Sequence, residues 1–331
     1  MQTEPTWQQH LAQAIRCPQQ LAKRLQLSPD WAQQVQAACR AFALKVPEPY
    51  CQRIEPGNPD DPLLLQVLPQ AQEMIEKPGY SHDPVGDQAA NPLPGLLHKY
   101  QGRVLLTLTG SCSINCRYCF RRHFPYQDNN PRADQLTAIE HYLRRDASID
   151  EVILSGGEPL LMKDEPLQAL FERLAAIPHL RRLRIHTRLP IAIPQRVQPS
   201  LIRALQATRL HTIVVIHCNH PHEIDTEVSH ALQQLHHSGS WCLNQSVLLK
   251  GINDNVETLV ALSQALMASR VQPYYLHLLD RVQGAAHFDV DRPRAVALHT
   301  AMQAHLPGYA VPQLVTEQAG QPAKTRVATN A

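Results

Sequence analysis

Aromatic side chains are scarce in this 331-residue chain, at 5%. Proteins that hold unpaired bases stack them on exposed aromatic rings, so no such platform is expected. Excess charge is lacking too, with a formal net charge of +2. No broad polyanion-binding face follows, and nucleic acid is not an expected partner. No apolar run approaches the roughly 20 residues of a membrane span, so no membrane location is expected. The run Met1–Pro18 is polar and amphipathic. It lacks the apolar centre of a secretory leader, and none is expected. The eight cysteines lack the regular spacing of a disulfide framework. A reducing compartment, the cytoplasm, is the natural reading. Hydrophobic content is 44% and charged content 18%, as in ordinary globular proteins. The length suits one large domain with an appendage, or two domains. The 18 histidines are spread over the chain and read mostly as surface or satisfied core groups.

Residues 1–76 read as a helical region. Trp7, Leu11 and Ile15 recur every four residues. Ser28-Pro29 is a capping and first-turn pair, with Trp31, Val35 and Phe42 following on one face. Pro47 and Pro49 should stop that helix. Residues 77–96, rich in proline and glycine, read as an extended connector. From 97 to 317, strands alternate with helical stretches. The expected strands are Val104–Thr109, Glu151–Ser155, Arg182–Thr187, Thr212–His217, Leu243–Leu249 and Pro273–Leu279. Such β–α succession implies an α/β fold, a parallel sheet with helices outside. Six units are too few to close an eight-fold barrel, so an open partial (β/α)6 barrel is expected. Residues 318–331 form a separate C-terminal segment.

Cys112, Cys116 and Cys119 form a C-x3-C-x2-C triplet with no fourth cysteine nearby. Three thiolates on one loop suit a cubic iron–sulfur cluster with one iron left open, which points to catalysis rather than electron storage. A zinc site with His123 as fourth ligand is the bland alternative, although structural zinc sites mostly use two separated ligand pairs. A ferredoxin-type cluster would have to recruit Cys218 or Cys242. The triplet follows the first strand, and Gly156-Gly157-Glu158-Pro159 follows the second. Thr187-Arg188-Leu189-Pro190, His217 to His220 and Asp280 follow later strands. Parallel α/β folds carry their sites at such C-terminal strand ends.

The triplet and the Gly-Gly-Glu-Pro run together resemble the radical S-adenosylmethionine superfamily. That resemblance implies a 4Fe-4S cluster whose open iron chelates S-adenosylmethionine. Gly156 and Gly157 would let backbone approach its methionine moiety. Glu158 would help hold its amino group, His217 would lie near its carboxylate, and Tyr118 would pack by the cluster.

The similarity extends further. Leu97-His-Lys-Tyr-Gln-Gly-Arg-Val104, Cys116-Arg-Tyr-Cys-Phe-Arg-Arg-His-Phe124, Asn244-Gln-Ser-Val-Leu-Leu-Lys-Gly-Ile-Asn-Asp254, Tyr275-Leu-His-Leu-Leu-Asp280 and Ala323-Lys324-Thr325 resemble the lysine 2,3-aminomutase family. The likeness runs from about Pro56 to Lys324. Gly57-Asn-Pro-Asp-Asp-Pro62 and Val282-Gln-Gly-Ala-Ala-His-Phe288 resemble the bacterial branch linked to modification of elongation factor P. The resemblance implies pyridoxal phosphate on Lys324, with Lys99, Arg103 and Gln245 around its phosphate. It implies Arg121 on the substrate carboxylate and Asp280 and Glu317 on the ε-ammonium of L-lysine. It also implies an electron donor such as flavodoxin, and a lysine ligase that uses the β-lysine product on elongation factor P. By residue type alone, Lys324 reads as a solvated tail lysine, Lys99 and Arg103 as a helix-face pair, and Arg121-Arg122 as counter-charge to the cluster. A radical enzyme acting on glutamate or arginine, or a non-catalytic iron–sulfur scaffold, stays open as a rival. Glutamate would want a cation where Asp280 and Glu317 stand.

Three departures stand out. Glu317 replaces the aspartate of many relatives, and Ala319-Gly-Gln-Pro-Ala323 replaces a glycine-rich run. Asn255 stands where larger members place a zinc-binding cysteine, so no zinc is expected and oligomers should be built differently.

Overall fold

The computed structural model describes residues 5–129 and 133–328. Its strands form one sheet in chain order: β1 (Leu96–Tyr100), β2 (Arg103–Thr109), β3 (Glu151–Gly156), β4 (Arg182–Thr187), β5 (His211–His217), β6 (Trp241–Val247), β7 (Gln272–His277), β8 (Gln313–Thr316) and β9 (Thr325–Arg326). Strands β2 to β8 pair in parallel. The edge strands β1 and β9 pair antiparallel to their neighbours. Among the described residues nothing joins β9 to β1, so the sheet stays open at both edges.

The six expected strands are all present, but the parallel set has a seventh member, β8. Its four residues are too few to show an alternation. Strand β1 begins at the last residue of the expected connector and forms a hairpin with β2. Lys99 therefore lies on a strand, not on a helix face with Arg103.

Helices Ala133–Arg145, Asp164–Ala175, Pro199–Ala207, Thr226–His237, Val256–Ala268 and Arg292–His305 cover the outside. In Asp164–Ala175, Leu167, Leu170, Phe171 and Leu174 make one buried stripe. Burying a sheet face against such stripes is what makes β3 apolar on both sides, with Val152, Ile153 and Leu154 all buried. Asn255 caps its helix, its side chain accepting from the Thr258 N–H at 2.8 Å.

The N-terminal helices are shorter than their periodicity suggests. Trp7–Ala12 ends before Ile15, which instead pairs with Val46 in an antiparallel bridge. Ser28 caps Pro29–Gln34 as expected, but the helix breaks at Val35 and restarts at Gln36. Pro49 starts a helix rather than stopping one, because its missing N–H costs nothing in the first turn of Glu48–Cys51. Trp7, Leu21, Leu25, Tyr50 and Leu63 share one hydrophobic core with β2 to β5.

This region also clamps the cysteine loop. Arg117, between two of the cysteines, is completely buried. It donates to Glu73 at 2.8 and 2.6 Å and to the Phe42 carbonyl at 2.8 Å. Arg122 donates to the same Glu73 carboxylate at 2.7 Å. Glu73→Ala would strand two guanidinium groups away from water. It should destabilise the fold by about 3–5 kcal/mol in urea titrations. Removing the exposed Arg24–Glu48 pair with Glu48→Ala should cost under about 1 kcal/mol. Equal losses in the two variants would refute the clamp.

Candidate active site

A cavity of about 490 Å³ opens where the C-terminal ends of the parallel strands meet. Each strand end brings something to it. The loop after β2 supplies Cys112, Cys116, Cys119 and Arg121, and the turn after β3 supplies Gly156, Gly157 and Glu158. His217 ends β5 and stands in register with Gln245 on β6. Asp280 follows β7, Glu317 follows β8, and Lys324 immediately precedes β9. Lys99 and Arg103 enter from the β1–β2 hairpin. The structure thus brings the triplet and the residues that the resemblance implied to one shared space, including the lysine that residue type alone would leave on a solvated tail.

The cysteine loop is held tightly. The Gly157 N–H donates to the Thr109 carbonyl at 2.8 Å, and the Glu158 N–H to the Ser111 carbonyl at 2.8 Å. A Cβ on Gly157 would lie 2.3 Å from the Ser111 oxygen, so the approach of the two loops requires glycine. On the other side the Lys45 ammonium donates to the Cys112 carbonyl. Burial, reinforced by the neighbouring thiols, pushes Cys112 well above the ordinary thiol range and Cys119 up to about 11. Cys112 and Cys119, desolvated and facing further sulfur, need positive charge nearby to become thiolates. Among the described residues no three His, Cys, Asp or Glu side chains converge as on a single metal ion. A cubic cluster fits such a donor set, because each thiolate takes a different iron. Neither His123 nor Cys218 nor Cys242 lines the cavity. His123 stacks on His82 and contacts the Gln283 carbonyl.

Glu158 is held by its neighbours. Its carboxylate accepts from the Thr187 hydroxyl at 2.7 Å and from the Leu160, Arg188 and Leu189 N–H groups at 3.1, 2.9 and 3.0 Å. With four donors engaged it ties the β3 turn to the β4 turn. His217 is held neutral, at about 3, by burial and by the nearby Arg188 charge; its Nε2 lies 2.8 Å from the Tyr118 hydroxyl.

Arg188 was placed after β4 by the sequence but given no role. Its buried guanidinium donates to the Cys116 sulfur and to the Tyr118 hydroxyl, both at 2.6 Å, and to Glu223 at 2.9 Å. Asp87 had no sequence signal at all, since it lies in the aperiodic connector. It pairs with Lys99 and accepts from Arg121 Nε at 2.7 Å. The cavity-lining His186 and His277 were likewise unmarked.

The opposite wall is a chain of alternating charges. Glu317 accepts from Lys99 Nζ at 3.1 Å and from Lys324 Nζ at 2.6 Å. Burial alone would raise its carboxyl, but the Lys324 and Lys99 charges outweigh that and hold it at about 2. Asp280 is as enclosed yet makes no salt bridge among the described residues. Burial, only partly opposed by Lys324 and aided by Glu317, raises it to about 7. Arg103 lies over the Tyr100 ring at 4.7 Å. An amine on Lys324, cations at Lys99 and Arg103 and the amide of Gln245 are the donor types that a phosphorylated aldehyde cofactor requires, and they share this cavity.

The chain is similar in sequence to known proteins. The radical SAM superfamily pattern matches residues 106–262. The L-lysine 2,3-aminomutase of Haemophilus influenzae is 47% identical over 322 residues, covering 97% of this chain and 95% of that one. The Escherichia coli protein of the same name is 46% identical, covering 96% and 93%. That of Clostridium subterminale is 33% identical, covering 98% of this chain and 78% of its own.

Asp280 generates a pH test. Its folded carboxyl keeps a proton up to about pH 7, whereas an unfolded aspartate loses it near pH 4. The stability this contributes is full below about pH 4 and is lost as pH rises through 7. Asp280→Asn should therefore raise the melting temperature relative to the parent at pH 8 but not at pH 4. An equal shift at both would contradict the assignment.

Proposed function

Because the chain belongs to the L-lysine 2,3-aminomutase family of the radical S-adenosylmethionine superfamily, we infer that it is an isomerase moving the α-amino group of L-lysine to C3, giving β-lysine. Its cofactors are a 4Fe-4S cluster, S-adenosylmethionine and pyridoxal phosphate, which when bound supply the hydrogen-abstracting radical and a carrier for the migrating nitrogen. The remaining work falls to the protein.

Cys112, Cys116 and Cys119 hold the cluster in this reading, with Gly156 and Gly157 keeping the backbone beside it thin. Lys324 carries the pyridoxal phosphate, and Lys99, Arg103 and Gln245 receive its phosphate. The Arg121 fork suits the planar α-carboxylate of the substrate. Asp280 and Glu317 receive its ε-ammonium, and two carboxylates in a dry pocket gauge side-chain length. An ammonium beside Asp280 favours its ionised form. Enclosure by the strand ends excludes water and fixes the reacting groups.

The observation that carries this reading is the meeting of the cysteine triplet with Lys324, Arg121, Asp280 and Glu317 in one cavity. The Gly57–Pro62 and Val282–Phe288 runs support the further assignment that the product feeds a ligase modifying elongation factor P. A thiolate-bound cluster suits a reducing cytoplasm, and among the described residues no helix is long and apolar enough to cross a membrane.

Anaerobically reconstituted protein, given L-lysine, S-adenosylmethionine, pyridoxal phosphate and a reductant, should form β-lysine detectable on a chiral column. Lysine recovered unchanged alongside 5′-deoxyadenosine would sink the substrate assignment. Lys324→Ala should abolish the absorbance shift of bound pyridoxal phosphate. Asp280→Ala should keep that shift but lose lysine turnover by at least about 100-fold, as expected when one partner of a buried charge pair is removed; undiminished turnover would defeat the pocket.

A further inference from the structure

Five cations surround the cysteine loop, and four of them have work elsewhere. Lys45 meets the Cys112 carbonyl, Arg117 and Arg122 are tied to Glu73, and Arg121 is tied to Asp87. Arg188 differs. Among the described residues it is the one side chain that gives a hydrogen bond to a sulfur of the triplet, from Nη1 to Cys116 Sγ at 2.6 Å. The same nitrogen donates to the Tyr118 hydroxyl at 2.6 Å. Arg188 also lines the cavity.

The guanidinium does not depend on Cys116 for its place. Its Nη2 donates to the Gln66 side-chain carbonyl at 2.7 Å and to Glu223 at 2.9 Å. The Arg188 backbone N–H donates to Glu158 at 2.9 Å. Glu223 is completely buried, and its other oxygen accepts from the Asn219 and His220 N–H groups at 2.8 and 3.0 Å. Gln66, also completely buried, follows the short helix Pro62–Leu65 of the N-terminal region. Three separate segments therefore hold the fork: the β4 turn, the turn after β5 and the N-terminal region. A planar, preorganised donor fixed on that many sides stays in place when its remaining partner changes. One N–H is left directed at Cys116 whatever that sulfur binds.

We propose that Arg188 sets the reduction potential of the cluster, acting through Cys116 as a fixed positive charge and hydrogen-bond donor. The inference rests on the reading that Cys112, Cys116 and Cys119 bind that cluster. A hydrogen bond to a ligating sulfur and a nearby positive charge both favour the form that holds one more electron. Arginine keeps its proton at any working pH, so the contribution is constant. Glu223 offsets part of the charge from the far side of the fork. The pair thus tunes the cluster in two directions, upward through Arg188 and downward through Glu223.

Anaerobic potentiometric titration of the reconstituted protein, read by the EPR signal of the reduced cluster, tests this without substrate. The cluster gains one electron from a reduced mediator dye; no bond is made or broken and no proton need move. In Arg188→Gln the equilibrium constant for reduction should fall about tenfold, which lowers the midpoint by about 59 mV for a one-electron couple. Glu223→Gln leaves the guanidinium without its counter-charge and should raise the midpoint. A disturbance of packing would not drive the two variants in opposite directions. Arg188→Lys keeps the charge but loses the fork, and should fall between Arg188→Gln and the parent. Iron and sulfide content reports the cluster-binding reading separately: a Cys116→Ala variant with full content would sink that reading and this proposal with it. Full content in Glu223→Gln with a reduction constant at or below the parent's would overturn the role of Arg188 alone, as would an Arg188→Gln constant within twofold of the parent's.

Discussion

Parallel pairing is the constraint on which the rest of this molecule depends. When β2 to β8 run the same way, every strand's C-terminal end falls on one rim, and each crossover must return along the outside. The rim collects one or two polar residues per strand without requiring any of them to be neighbours in sequence. Cys112 and Lys324 reach the same cavity for that reason alone. The two antiparallel edges add residues that this rule does not supply. The hairpin of β1 with β2 brings Lys99 and Arg103 to the cavity from the N-terminal end of β2, where Arg103 stands opposite Glu151 at the start of β3, and β9 pins the segment that carries Lys324.

In and behind the rim, charge is handled by pairing rather than by exposure. Asp87 serves Lys99 and Arg121, Glu317 serves Lys99 and Lys324, and Glu73 serves Arg117 and Arg122. Buried ions are tolerated only with such partners. Asp280 is the exception: it makes no salt bridge among the described residues, and burial raises its carboxyl to about 7. Glu158 shows the reverse case. A carboxylate that the resemblance would set on a ligand amine accepts from four donors of the chain itself and holds two turns together.

The N-terminal region, which the sequence presents as a separate helical stretch, is part of the site's foundation. It shares the sheet's core, supplies Glu73 against the cysteine loop and contributes the Lys45 contact to Cys112.

The residue pattern by itself determined the long parallel strands, the covering helices and the chemistry of the triplet, because apolar runs and tight motif spacing are local properties. Family resemblance added Lys324, Lys99, Arg103, Arg121, Asp280 and Glu317 as candidates, but no local feature could raise Lys324 above a tail lysine. Strands as short as β8 and β9 left no periodicity to read. Asp87 and Glu73 are unremarkable acidic residues in aperiodic or lightly helical stretches. Their importance lies wholly in which distant guanidinium and ammonium groups the fold sets against them. The three cysteines announced a cluster from sequence alone. Only the tertiary structure decided what surrounds it, since burial, pairing and the sharing of one cavity are relations between segments far apart in the chain.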